Sequence, residues 1–204
     1  MVNQIICIIG RATLPLLLAA FSIAMLPAAA AQTSHDKMAS DNSGTSSTKL
    51  APADRQFVRK AAQGGLAEVE LGKLASEKAE SSDVKQFGQR MVDDHTKAND
   101  QLKQVASEKG ITVPNKLSAK DAATKARLEK LSGKAFDRAY MRDMVTDHTK
   151  DVSEFRMESK NAKDPAVKNF ASQTLPTLKD HLKEAKSIAP KTGAKTSQAS
   201  GGNQ

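Results

Sequence analysis

Four stretches of this chain carry apolar residues at the period of a helix: about Asp54 to Glu80, Asp83 to Lys109, Lys134 to Asn161 and Pro165 to Ala189. Spacings of three and four residues gather those side chains into one stripe per helix, and such stripes are buried most simply against one another. The links between the stretches then decide the topology. Those near Ser81-Ser82 and Ala162-Lys163 are tight. Between the second and third stretches, an extended Ile111-Thr112-Val113-Pro114-Asn115-Lys116 leads to Ser118-Ala119-Lys120-Asp121, which resembles a capping box opening a short helix that ends before Ser132-Gly133. At about 1.5 Å per helical residue and 3.3 Å per extended one, this connection spans the ~40 Å of a long helix. The expected fold is all-α: a four-helix bundle of two antiparallel hairpins joined by a long crossover that contains a short helix. Asp54 and Asp164 are N-cap candidates, the latter with Pro165 at the first helical position, and Gly110 is a C-terminal stop.

An internal repeat agrees with two hairpins. Asp54-Arg55-Gln56-Phe57-Val58-Arg59 matches Asp137-Arg138-Ala139-Tyr140-Met141-Arg142, and Val84-Lys85-Gln86-Phe87 matches Val167-Lys168-Asn169-Phe170, both at an offset of 83 residues. One offset across two helices implies a duplicated hairpin, in which the first helix corresponds to the third and the second to the fourth.

Three of the four histidines lie at the middle of a core-facing stripe. Met144-Val145-Thr146-Asp147-His148-Thr149-Lys150 nearly repeats Met91-Val92-Asp93-Asp94-His95-Thr96-Lys97, and Asp180-His181 adds a third Asp-His pair. At about 100° per residue, His95, His148 and His181 each fall among apolar neighbours. In the first helix the stripe of Phe57, Ala61, Gly64, Gly65, Leu71, Gly72 and Ala75 is centred on Glu68. An unpaired buried carboxylate costs several kcal/mol unless it shifts its pKa, finds a partner or binds a cation. Under the repeat, Glu68 corresponds to Asp151, Gly65 to His148, His95 to Leu178 and Ala98 to His181. The candidate metal ligands are therefore Glu68, His95, His148, Asp151 and His181, with Glu184 as an outer member. The turn positions place Glu68 near the level of His95, and His148 near that of His181, the two levels lying about one turn, or ~5 Å, apart. Imidazoles with carboxylates suit zinc, iron, manganese or copper(II), while Met91, Met141 and Met144 are read as core packing. Asp94, Asp147 and Asp180 lie off the histidine directions, as flanking groups.

The termini and the charge narrow the setting. Residues 1–31 run through Arg11 into Leu14 to Leu26 and end in Pro27-Ala28-Ala29-Ala30-Ala31, as in a secretory signal peptide. Residues 32–53 form a Ser/Thr-rich tether, 54–189 the bundle and 190–204 a disordered tail. The lone Cys7 leaves with the signal, so a mature chain has no thiol ligand. No mature segment is long and apolar enough to span a bilayer as a helix. The net charge of +8 is spread over helices that interleave Lys with Glu and Asp, with no Trp and one Tyr. That argues against nucleic acid as a partner and leaves an envelope protein or polymer. The expected location is periplasmic or loosely attached to the outer membrane.

At Gly64-Gly65-Leu66-Ala67-Glu68-Val69-Glu70-Leu71-Gly72, Met91-Val92-Asp93-Asp94-His95, Phe136-Asp137-Arg138-Ala139-Tyr140-Met141 and Leu175-Pro176-Thr177-Leu178-Lys179-Asp180-His181, the chain resembles domain-of-unknown-function family 4142. The resemblance covers about Ala53 to Ala189 and implies an exported bacterial protein with a ferritin-like four-helix bundle, without a settled activity. Ferritin-like di-iron sites take Glu-x-x-His from two helices. Here the positions three before His95 and His181 are Val92 and Leu178, so ferroxidase chemistry is not expected. Three readings follow, in order: a bundle that binds a transition metal for sequestration, delivery or envelope stress protection; a metal-free structural or interaction module whose buried polar groups set the fold; and an oxidoreductase.

Overall fold

The computed structural model describes residues 49–195. The expected signal peptide at 1–31, most of the tether at 32–53 and the end of the tail lie outside the described residues. Five α-helices follow one another: α1 (Pro52–Lys78), α2 (Ser82–Glu108), α3 (Ala119–Glu129), α4 (Gly133–Asn161) and α5 (Pro165–Ile188). Among the described residues there is no strand, and no helix is long and apolar enough to cross a membrane.

The helix ends follow local chemistry. Helix α2 stops where Gly110 takes φ +64°, with Ile111 N–H donating to Ala106 C=O at 2.8 Å and Gly110 N–H to Ser107 C=O at 3.1 Å. This Schellman closure needs the left-handed residue that glycine supplies. Ser118 caps α3 by accepting from Asp121 N–H at 3.1 Å. Asp164 caps α5 by accepting from Ala166 N–H at 2.9 Å, with Pro165 in the first turn. The opening of α1 departs from expectation, because its N-cap is Ala51 and no side chain caps it. Asp54, expected as that cap, instead faces the other hairpin.

Two antiparallel hairpins, α1–α2 and α4–α5, pack with α1 beside α4 and α2 beside α5. Buried Asp54 on α1 accepts from Lys163 N–H at 3.0 Å and Asp164 N–H at 2.7 Å, at the α4–α5 turn. Buried Asp137 on α4 accepts from Glu80 N–H at 3.1 Å and Ser81 N–H at 2.9 Å, at the α1–α2 turn. Donors and acceptors alike are related by the offset of 83 residues, so each hairpin clasps the turn of the other. In both clasps a carboxylate satisfies backbone donors at the start of a helix, where the dipole favours negative charge. The clasps also place α4 antiparallel to α1, which obliges the crossover to run the length of the bundle. It lies along α1 and α4, held by Gln63 Nε2 donating to Lys116 C=O at 3.0 Å and by Lys125 against Glu70 at 3.1 Å.

The α1–α2 contact is made close by glycine. A Cβ at Gly72 would meet Gly88 O at 2.6 Å, and one at Gly88 would meet Ala75 Cβ at 2.7 Å. After α5 the chain makes a 3₁₀ turn (Ala189–Thr192) and buries Ala194, with Lys191 Nζ 2.9 Å from Asp83. The tail expected from residue 190 thus joins the fold as far as Ala194, because Ala189 and Ala194 extend the apolar surface of the core.

The core has two apolar clusters. One, around Phe87, Met91, Phe136, Tyr140, Met141 and Met144, fills the end nearest the α1–α2 turn. The other, around Phe57, Leu102, Phe155, Phe170 and Leu178, fills the opposite end, where Phe57 meets Phe155 edge-on at 5.0 Å. The buried histidines lie between them along the chain.

Candidate metal centre

His95 on α2, His148 on α4 and His181 on α5 reach the interior because each sits at the centre of its helix's apolar stripe. Their relative exposures are 7%, 0% and 0%. The rings meet at one place, with centroids 5.7 Å apart for His95–His148 and 5.3 Å for both His95–His181 and His148–His181. One ligand atom from each falls within 4.8 Å of the others, a grouping that could hold a metal ion. The two levels expected from counting residues therefore merge into one layer. Counting locates Cα atoms only, and side chains on antiparallel neighbours lean in opposite directions along the bundle.

Burial keeps these rings neutral. It pushes the His148 imidazole down to about 3, with repulsion from His181 adding to it. Burial, then His148 and His181, hold His95 well below the ordinary histidine range, and burial also lowers His181 against the pull of Asp94. A neutral imidazole carries one N–H and one lone pair, and its hydrogen-bond partner selects which nitrogen is which. His148 Nδ1–H donates to Met144 C=O at 3.0 Å, which leaves the lone pair on Nε2. His181 Nε2–H donates to Asp94 at 2.7 Å, which leaves it on Nδ1. These free nitrogens, and His95 Nε2, are buried without a hydrogen-bond partner. Each unsatisfied buried polar atom costs about 1–3 kcal/mol. Three of them in one layer make a set of donors with nothing to donate to.

Asp94 is itself held at the surface by Arg90, 3.3 Å away, which also contacts Glu184 at 2.6 Å. The flanking role expected of Asp94 thus takes a specific form, a carboxylate orienting His181 from the neighbouring helix. Asp180 is exposed, and Glu184, proposed as an outer member, points into the ion pair with Arg90.

The two acids of the sequence-derived set lie apart from the three-nitrogen grouping. Glu68 is buried, but its Oε1 sits 3.9 Å from His148 Nδ1, the nitrogen committed to Met144, and its Oε2 has no partner. Burial, with Asp151 and Asp147 adding repulsion, raises its pKa well above the ordinary carboxylate value, which favours the protonated acid beside the layer. Asp151 lines a cavity of about 230 Å³ together with Gly64, Asn99 and His95. Burial, then repulsion from Asp147 and Glu154, pushes its carboxyl up to about 7. Helical angles bring an acid to the correct face, but they do not say which ring edge it meets.

Tyr140 is fully buried in the core, and its hydroxyl has no partner. Phe87 stands edge-on to His148 at 6.3 Å and His181 at 6.5 Å, so an apolar ring closes the layer on one side. Gly64 and Gly65 have separate roles. The Asn99 amide lies against Gly65, only 2.2 Å from where a Cβ would stand, whereas a Cβ at Gly64 meets nothing within 4 Å.

A family model described as "Domain of unknown function (DUF4142)" matches residues 39–188. The chain belongs to the DUF4142 family. Among curated proteins none matches it. Two solved DUF305 structures share the fold. A fragment from Deinococcus radiodurans has a TM-score of 0.62 and 18% identity, covering 70% of this chain and 98% of its own. A protein from Streptomyces coelicolor has a TM-score of 0.61 and 14% identity, covering 72% of this DUF4142 chain and 97% of its own. At these identities the likeness extends to the helical architecture.

Proposed function

We propose that this DUF4142 protein binds one transition-metal ion through His95, His148 and His181, in the cell envelope after export, where it sequesters the ion or protects against metal stress. The observation that carries the reading is the set of three unpaired imidazole nitrogens, two of them fixed in the required tautomer by Met144 C=O and Asp94. A network serving only to set helix register would satisfy its own atoms, as buried polar groups ordinarily do. The donor set is nitrogen without thiolate, and both candidate acids lie outside it. That favours copper(II) and zinc over manganese, whose usual ligands are oxygens. Export is supported by the apolar run ahead of Ala28-Ala29-Ala30-Ala31.

The test is metal analysis of untagged protein recovered from the cell envelope, with titration of the apo protein by zinc and copper(II). About one equivalent of a single metal is expected, with a rise in Tm that His148→Ala and His181→Ala abolish. Less than a tenth of an equivalent of every transition metal, with no thermal shift on adding zinc, copper or iron, would leave a metal-free interaction module as the better reading.

A further inference from the structure

The three imidazoles are not held alike. His148 is tied to Met144 C=O and His181 to Asp94, but His95 makes no side-chain hydrogen bond among the described residues. His95 also borders empty space on two sides. One cavity, about 230 Å³, is shared with Gly64, Asn99 and Asp151, and a second, about 160 Å³, lies between α2 and α5 with Asp94, Thr177 and the tethered His181. A side chain without a tether and with room beside it is the one able to change rotamer.

Resting on the metal-binding reading above, we infer that the ion reaches and leaves the centre through the cavity walled by Gly64, Asn99 and Asp151. His95 is the ligand that swings to admit it, and Asp151 is the carboxylate that holds it in transit. Several features favour this side. Asp151 is half-buried, bears no hydrogen bond to another side chain and lines the same cavity as His95. The carboxylate of the other cavity, Asp94, is already engaged by His181 and Arg90. The lysines that line the larger cavity, Lys60, Lys120 and Lys150, are interspersed with the acids Asp121, Asp151 and Glu154. The pair fixed by tethers, His148 and His181, keeps two donors in place while the third moves.

Cobalt(II), with its coordination-sensitive absorption, is the probe, mixed by stopped flow with the full mature chain and later withdrawn with a chelator. Gly64→Leu starts from a position where an added Cβ meets nothing within 4 Å, places its side chain at the wall of the larger cavity and keeps a good helix former in α1. It is expected to slow association and release together, at least tenfold, with affinity within about threefold of the parent. Thr177→Leu, in the smaller cavity, leaves both rates unchanged. Asp151→Asn, nearly isosteric, slows association about tenfold with the bound spectrum intact. His95→Ala and His148→Ala both weaken binding, but only His95→Ala speeds association.

Unchanged rates in Gly64→Leu, or slowing by Thr177→Leu instead, would overturn the route while equilibrium binding upheld the centre. A hundredfold loss of affinity with an altered spectrum in Asp151→Asn would make Asp151 a ligand and overturn its transit role. Absence of cobalt(II) binding to the parent chain, read in the equilibrium titration, would overturn both readings.

Discussion

At the scale of single residues, the proposed metal site depends on groups that orient its imidazoles as well as on the imidazoles themselves. Asp94 fixes which nitrogen of His181 is free, from a neighbouring helix and at 2.7 Å. Removing such a partner lowers metal affinity by about 10–100-fold, so Asp94→Ala is expected to weaken zinc binding by that factor in a competition titration, with helicity unchanged. The acids and histidines pull stability in opposite directions with pH. His148, lowered in the folded state to about 3 from 6.5, binds its proton more readily when unfolded. Apo-protein stability therefore falls as pH drops from about 6.5 towards 3, and His95 and His181, also lowered, act in the same sense. Asp151, raised from 3.8 to about 7, does the reverse: its penalty grows as pH rises from about 4 and is complete above about 7. Asp151→Asn is thus expected to stabilise the apo protein at pH 8 by roughly 1–3 kcal/mol and to leave it unchanged at pH 3, as read by urea unfolding. A mutant no more stable than its parent at pH 8 would count against a half-buried, unpaired Asp151.

At the scale of elements, the hairpins meet through two kinds of contact that periodicity alone does not reveal. The reciprocal clasps each have one carboxylate accepting two backbone N–H groups. Asp54→Ala and Asp137→Ala should each destabilise by about 2–4 kcal/mol, since charged hydrogen bonds are lost and buried donors are stranded. Because the clasps lie at opposite ends of the bundle, the double mutant should show the sum within about half a kcal/mol in denaturant unfolding. The α1–α2 seam depends instead on absent side chains. Gly88→Ala sets a methyl against Ala75 Cβ and Gly72 O. Despite better helix propensity it should lower stability by about 1–3 kcal/mol, and a Tm equal to or above the parent's would show that α1 and α2 have room to separate.

For the molecule as a whole, the long-range plan was legible because it depends on quantities a sequence carries directly. Period and length set four rods, short links set two hairpins, and Ile111 to Ser132 was long enough to run back along them. The histidines were legible for the same reason, since each angle about a helix axis follows from position. Height along the bundle and the direction of a ring edge do not follow from it. His95 and His148 were accordingly assigned to different levels yet meet at 5.7 Å, and Glu68 was placed correctly on the inner face but lies at the committed nitrogen of His148. The Asp54 and Asp137 match was visible as part of the repeat, but its purpose emerged only when each carboxylate was found on the opposite turn.

That reciprocity is the pattern two identical half-length chains would make on closing against each other. A symmetric pair of that kind can offer off-axis donors only in even numbers. The trio formed by His95 from one half and His148 with His181 from the other is odd, and Gly65, Leu178 and Ala98 stand at the corresponding places. The grouping therefore belongs to neither half alone: each half supplies imidazoles at places where the other has none.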